Sequence, residues 1–216
     1  ANDVKNHGMT LRRDKCLFGV DKLEYLGHTV SVSGIQPKES LLKAISSAPP
    51  PLDKDSLRSF LGLAEYYARF VQDYANQVDP LRQLLKKGVR FVWLEEHSRA
   101  FETIKQLIVC APALSHFHHG CKCVITVDAS ITGLGSVLGQ DIRGKEHTVA
   151  FASRSLTSTE KNYSAIEREA LACVWAVEKF KIYIWGSHFD LRTDHKPLVN
   201  ILKTSGMTKY LVGWCG

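Results

Sequence analysis

The sequence predicts an α/β protein, a mixed sheet with helices, preceded by a small and mainly helical module that carries a short β-ribbon. Three observations carry this. Residues 37–110 place apolar side chains at helical spacing between proline and glycine breaks. After about residue 121 the pattern changes to β-branched runs. The second half then reads as three strands, a helix, a strand and a helix, an order that builds a mixed sheet.

The elements follow in order. Residues 16–36 (CLFGVDKLEYLGHTVSVSGIQ) alternate as a short ribbon closed by Gly27 and Gly34. Pro37 opens a helix over KESLLKAIS, which the Pro49-Pro50-Pro51 run keeps from continuing. A second helix starts after Asp55-Ser56, either of which is a capping residue. Its Leu57, Phe60, Leu61, Ala64, Tyr67, Ala68 and Val71 mark one buried face. A third takes Asp79 as cap and Pro80 as first residue, runs through Leu81, Leu84 and Leu85, and stops at Gly88. A fourth covers Glu95 to Val109 with Phe101, Ile104 and Ile108 inward. Residues 111–120, with Pro112 and three histidines, read as a linker. Beyond it, CVITVD, LGSVLGQ and HTVAFAS are strands, with Gly133 and Gly135 near the first turn. A long helix, the strand FDLRTD and a short helix KPLVNILK complete the pattern.

Composition bounds the function. At 216 residues the chain has room for one large domain or two small ones, and 44% hydrophobic with 23% charged residues is the balance of a folded protein. The net charge of +6 is compatible with a polyanionic partner. The first twenty residues lack the apolar core of a signal peptide. The longest apolar run, Ala170 to Val177, is far below the ~20 residues that span a bilayer, so no membrane partner is expected. Six cysteines without a CxxC pair read as reduced thiols in an intracellular protein. The chain opens without Met and in mid-pattern, and reads as a piece of something longer.

Three acids stand out by position. Asp128 ends the first strand of the second half, Asp194 ends the strand after the long helix, and Glu169 lies near that helix's start. If those two strands are parallel neighbours, both aspartates emerge at one carboxyl edge, where open α/β sheets place their sites. Clustered carboxylates repel one another unless a cation sits among them, and hard oxygen ligands suit Mg²⁺ or Mn²⁺. A pair of such ions ~4 Å apart orients a water for attack on a phosphodiester. The helix offers two acids. Ser164-Ala165-Ile166-Glu167 fits a capping box. Around a buried stripe of Ile166, Ala170, Cys173, Val177 and Phe180, Glu167 and Glu169 sit at about 85° and about 75° on opposite sides, and geometry does not choose between them.

Other groups have plainer readings. His116, His118, His119, Cys121 and Cys123 lack zinc spacing and read as a solvated loop. His195 reads as a helix-start residue; Tyr66, Tyr67 and Phe70 could stack on bases, but helical spacing makes Tyr67 core first. Arg58, Arg69, Lys86, Lys87 and Arg90 are candidate phosphate contacts, with a merely solvated surface as the alternative.

The stretches ITVDAS, LGSVLGQ, VAFASRSLTSTEKNYSAIEREALACVWAVEKFKIYIWG and FDLRTDHKPL resemble the ribonuclease H domain of gypsy-class retrotransposon reverse transcriptases. In that family the helix carboxylate precedes the pattern found at Ala170-Leu171-Ala172, so the resemblance selects Glu169 and assigns the metal-ligand role to Asp128, Glu169 and Asp194. KCLFGVDKLEYLGHTVSVSGIQP resembles the end of the polymerase palm, LRSFLGLAEYYARFVQDYANQVDPLRQLLKKGVRFVW the thumb, and EEHSRAFETIKQLIVCAPAL the connection. The implied division is 1–36 palm end with a primer-contacting hairpin, 37–110 thumb and connection helices, 111–120 linker, and 121–216 a ribonuclease H-like domain that is C-terminally incomplete. The implied activity is hydrolysis of the RNA strand of RNA–DNA hybrids with two Mg²⁺ or Mn²⁺ ions. The implied partners are hybrid or duplex nucleic acid and the remainder of the polymerase. Two departures bear on this. The Tyr-x-Asp-Asp motif is absent, so the polymerase metals have no site. The family continues past residue 203 with a strand, a helix and a fourth acid, whereas TSGMTKYLVGWCG contains no acid. The alternative expectation is a catalytically decayed remnant that at most binds nucleic acid.

Overall fold

The computed structural model describes Arg12 and residues 16–198. Three short strands come first: β1 (Lys22–Tyr25), β2 (His28–Ser31) and β3 (Gly34–Pro37), an antiparallel meander in that order. The ribbon thus has three strands. Pro37 does not open a helix. It ends β3 opposite His28, at a sheet edge where a residue without an N–H is tolerated. Helix α1 (Glu39–Ser46) begins only after Lys38. The outer edge of β3 is closed by Leu114, which exchanges both backbone hydrogen bonds with Ile35 at 2.8 and 2.9 Å. Gly34, at φ +124°, makes this approach possible: a Cβ there would lie 2.3 Å from the Leu114 carbonyl oxygen. The 111–120 segment is therefore anchored rather than wholly solvated, because Leu114 is a fully buried core residue.

Helix α2 (Lys54–Tyr66) is capped by Asp53, two residues before the position expected. The Asp53 carboxylate accepts from the Ser56 backbone N–H at 2.8 Å, and Ser56 Oγ accepts from the Asp53 N–H at 3.1 Å. Ser56 is thus the far partner of a capping box, not the cap. A 3₁₀ turn (Ala68–Phe70) leads to α3 (Tyr74–Leu84), which contains Pro80 in its interior instead of starting there. An internal proline costs ~3 kcal/mol. Tyr74, Val78, Leu81 and Leu84 are all buried, at roughly 1.5–3 kcal/mol for each large side chain, and this outweighs it. Helix α4 (Glu95–Val109) buries Phe101, Ile104 and Ile108 against Phe60, Tyr67 and Val78 in one helical core.

The second sheet is β4 (Lys122–Ala129), β5 (Gly133–Ile142), β6 (Lys145–Ser155) and β7 (Phe189–Arg192), in the order β6-β5-β4-β7. β4 and β7 run parallel and the other pairs antiparallel. This is a mixed α/β sheet of the kind expected. Helix α5 (Ala165–Lys179), followed by the short α6 (Lys181–Ile184), covers it. The stripe that α5 buries is Glu169, Ala172, Cys173, Ala176 and, at its C-cap, Phe180. It is rotated by roughly 70° toward Glu169 from the expected one. Small residues let the helix approach the sheet closely, while the larger Ile166 and Val177 remain half-buried at the flank.

The two cores meet at β6, where Phe151 packs onto the helical core. Lys196–Leu198 start a helical turn after β7. The rest of the expected KPLVNILK helix and the tail that bears on a fourth acid lie outside the described residues. Among the described residues no helix is long and apolar enough to cross a membrane.

Candidate metal centre

The parallel pairing of β4 with β7 sets the site. Its last registered pair is Thr126 with Arg192, and continuing that register by two residues brings Asp128 level with Asp194. Helix α5 crosses this edge and lowers Glu169 between them. Ligand oxygens of the three carboxylates lie within 4.8 Å of one another. Among the described residues this is the one such gathering of His, Cys, Asp and Glu side chains. Asp128 and Asp194 are exposed, whereas Glu169 is buried. A cleft of about 270 Å³ opens over the edge, lined by Thr126, Val127, Asp128, Arg192, Thr193 and Asp194.

Electrostatics marks Glu169 as the strained member. Burial, then the charges of Asp194 and Asp128, push its carboxyl up to about 7, against hydrogen bonds from the Ala129 backbone and the Thr193 side chain. Its Oε2 is buried without a hydrogen-bond partner. A buried carboxylate oxygen left unpaired beside two further carboxylates fits a hard divalent cation, which would supply the missing positive charge and accept oxygen ligands. Glu167, two residues away, has another task. It is exposed, and its Oε2 accepts from the Ser164 N–H at 2.8 Å and the Ser164 hydroxyl at 2.7 Å, which holds its pKa down. The structure therefore brings Glu169, and not Glu167, to the aspartates.

The remaining candidates are dispersed. Arg58, exposed on α2, pairs with Asp55. Arg69 lies half-buried in the 3₁₀ turn, 5.8 Å above the Phe70 ring. Lys86, Lys87 and Arg90 are exposed beyond α3. Tyr67 is fully buried, and its hydroxyl donates to the Gly27 carbonyl. His116 bonds the Ser31 carbonyl through Nε2 at 2.7 Å, while the backbone at His118 is held by the buried Gln140 amide. His195 lies after β7, its backbone N–H on the Thr193 hydroxyl. Sequence reasoning passed over Thr193 and Arg192, which share the cleft. Thr193 is buried under Glu169, and Arg192 reaches Glu146 at 2.7 Å. Both stand beside Asp194 in FDLRTD, a signal that their polarity alone did not raise.

Residues 93–191 match the family described as the RNase H-like domain found in reverse transcriptase. The chain carries an RNase H-like domain of retrotransposon Pol polyproteins. It is 41% identical over 191 residues to the retrovirus-related Pol polyprotein from transposon 297 of Drosophila melanogaster, a match covering 88% of this chain and 18% of that polyprotein. It is 36% identical over 194 residues to the corresponding polyprotein from transposon 412 of the same organism, covering 90% and 16%. The chain thus spans less than a fifth of the length of these curated relatives. Among solved structures, the foamy viral protease-reverse transcriptase dRH in complex with double-stranded DNA aligns with a TM-score of 0.75 at 18% identity, over 89% of this chain and 37% of that one. The foamy viral protease-reverse transcriptase in complex with RNA/DNA hybrid gives 0.72 at 19% identity, over 90% and 29%. At such identity the likeness is one of fold. It covers the helical module as well as the RNase H-like domain.

Proposed function

We propose that this chain is the part of a retroelement reverse transcriptase that holds and hydrolyses the RNA strand of RNA–DNA hybrids. In this reading residues 1–36 end the palm, 37–110 form thumb and connection, 111–120 link, and 121–216 form the nuclease domain of an intracellular enzyme. The observation that carries the reading is the triad of carboxylate oxygens within 4.8 Å around an unpaired, buried Glu169 Oε2.

Asp128 and Asp194 would hold Mg²⁺ or Mn²⁺, singly or as a pair, from the strand ends, and Glu169 from the helix. Such ions supply charge that polarises a water and stabilises the leaving oxygen of a phosphodiester. The chain's own contribution is placement. Two parallel strand ends fix the aspartates, and the close helix contact at Ala172 and Ala176 sets the depth of Glu169. With its carboxyl pushed up to about 7, Glu169 would release its proton to bind such a cation. Arg192 lines the same cleft, and its guanidinium, paired with Glu146, would meet a backbone phosphate by exchanging that partner. A hybrid is read through its backbone and groove shape, with 2′-hydroxyls marking the strand to be cut.

Gel-resolved cleavage of a labelled RNA–DNA hybrid by the full chain tests this. With Mg²⁺ or Mn²⁺ the RNA strand should shorten while the DNA strand stays intact. Asp128→Asn and Glu169→Gln should each lower the rate on the order of 100-fold or more, the scale of misplaced reacting groups. Cleavage that survives both substitutions would remove the carboxylate mechanism.

A further inference from the structure

We infer that Asn76, on α3 of the helical module and outside the family-matched residues 93–191, is a positioning residue for the carboxylate site, clamping the turn that follows Asp128. The inference rests on the function proposed above for that site.

A carboxylate at a strand end is only as fixed as the turn behind it. Here the turn is Ser130 to Gly133, between β4 and β5. Ser130 Oγ accepts from the backbone N–H groups of Gly133 at 2.8 Å and Thr132 at 3.2 Å, and the Ser130 N–H donates to the Gly133 carbonyl at 2.8 Å. The Ser130 hydroxyl proton has two acceptors at 3.1 Å, the Gly133 carbonyl within the turn and Asn76 Oδ1 outside it, and Ser130 Oγ also lies 3.2 Å from the Thr132 hydroxyl. Asn76 Oδ1 takes the Thr132 hydroxyl proton at 2.7 Å and stands as the outer acceptor for Ser130. The other half of the amide fixes which way it faces. Asn76 Nδ2 donates to Asp73 Oδ1 at 2.6 Å, and a carboxylate only accepts, so the amide oxygen must face the two hydroxyls.

Packing closes the clamp from below. A Cβ on Gly133 would lie 2.7 Å from Asn76 Oδ1 and 3.0 Å from the Arg154 carbonyl oxygen, so any other residue there would push the Asn76 amide aside. The same helix end is tethered to β6 by the Ala75 N–H on Ser153 Oγ at 2.9 Å. Asn76 therefore bridges the start of α3 to a turn 54 to 56 residues further along the chain, two residues beyond Asp128. An interface polar group with a purely adhesive role would change stability and leave the affinity of a folded site for its ion unchanged. A group that sets a ligand's position changes that affinity, typically 10- to 100-fold when outer-shell partners of metal ligands are removed.

The experiment uses the full chain and Mn²⁺ alone, with binding followed by electron paramagnetic resonance, amide exchange at residues 129–133 and the thermal midpoint. Asn76→Ala should weaken Mn²⁺ binding about 10-fold and speed exchange at the Thr132 and Gly133 amides. Arg82→Ala, which removes another contact of the same interface (Arg82 to Ser155 Oγ, 3.2 Å) together with the Glu65 ion pair, should lower the midpoint and leave both readings alone. Should Asn76→Ala fail to fold, Thr132→Val removes the 2.7 Å bond to Asn76, along with the 3.2 Å contact of the Thr132 and Ser130 hydroxyls, and should give the same two changes. Wild-type affinity together with wild-type protection at Thr132 and Gly133 in a folded Asn76→Ala or Thr132→Val protein overturns the inference. If the wild type itself binds no Mn²⁺, the metal reading fails, and amide exchange alone decides whether Asn76 clamps the turn.

Discussion

Glu167 and Glu169 differ by two positions and by nearly every physical property. One closes the helix start in water with its pKa held down; the other is buried between two aspartates with its carboxyl pushed up to about 7. A helical wheel left both open, because it weighs hydrophobicity and cannot see which face meets the sheet through alanines. A third glutamate shows what a cationic partner does instead. Glu160 takes a two-pronged ion pair from Arg154, at 2.7 and 2.9 Å, and the Thr157 N–H at 2.8 Å, which hold its carboxyl down to about 2. Its folded-state pKa lies below the ordinary 4.5, so the pair stabilises the fold fully above about pH 4.5 and the contribution fades as pH falls toward 2. Glu160→Gln should accordingly melt below the wild type at pH 7, and the gap should narrow through this window. Circular-dichroism melts from pH 7 to pH 2.5 measure it. A gap that stays constant with pH would assign the loss to packing rather than charge.

At the scale of elements, some features were written plainly and others were not. The β-branched runs of β4 to β6, the span of α4 and the capping box of α5 were legible because each is a local choice of residue type. The internal Pro80 and the turned face of α5 were not, since tertiary burial decided them against local propensity, and the cap of α2 was hidden among three neighbouring residues that can each cap a helix. Asp53 is preferred to Asp55 because Ser56 answers it, and α3 runs through its proline because Tyr74 and Val78 are buried ahead of it. The closing of β3 by Leu114 was equally hidden, for it joins residues some eighty positions apart. Gly34→Ala tests how much that contact matters. The substitution meets both an unfavourable φ and a carbonyl oxygen at 2.3 Å, whereas Gly144→Ala, at φ +79° with open space around it, meets only the backbone term. Gly144→Ala should cost about 1 kcal/mol, and Gly34→Ala on the order of 2 kcal/mol or more, a further drop of several degrees in thermal midpoint. Equal losses in urea unfolding would show that the ribbon yields around Leu114.

For the whole molecule, the mixed sheet was foreseeable from the order of the elements and the two aspartates from their strand ends, with Glu169 selected by the resemblance alone, but the union of the two halves was not. Asn76 is an ordinary polar residue in a helix until its partners are known, and Phe151 is an ordinary strand residue until it enters the other core. The full chain carries a net charge of +6, with Arg58, Lys86, Lys87 and Arg90 exposed on the helical module. If this module holds a hybrid as proposed, affinity must come largely from counterions released at phosphates. For about five neutralised phosphates the logarithm of the binding constant should then fall with log salt at a slope near −4 to −5, several hundred-fold between 50 and 200 mM. Fluorescence anisotropy with labelled hybrid, in EDTA so that cleavage does not intervene, reads the slope directly. Replacing Lys86, Lys87 and Arg90 together by alanine should make it shallower by about 2 to 3, while Asp128→Asn should leave it unchanged or bind slightly tighter, because one repelling charge is gone. A slope near zero in the wild type would mean that these cations are a solvated surface, and that the hybrid, if bound at all, is held by other means.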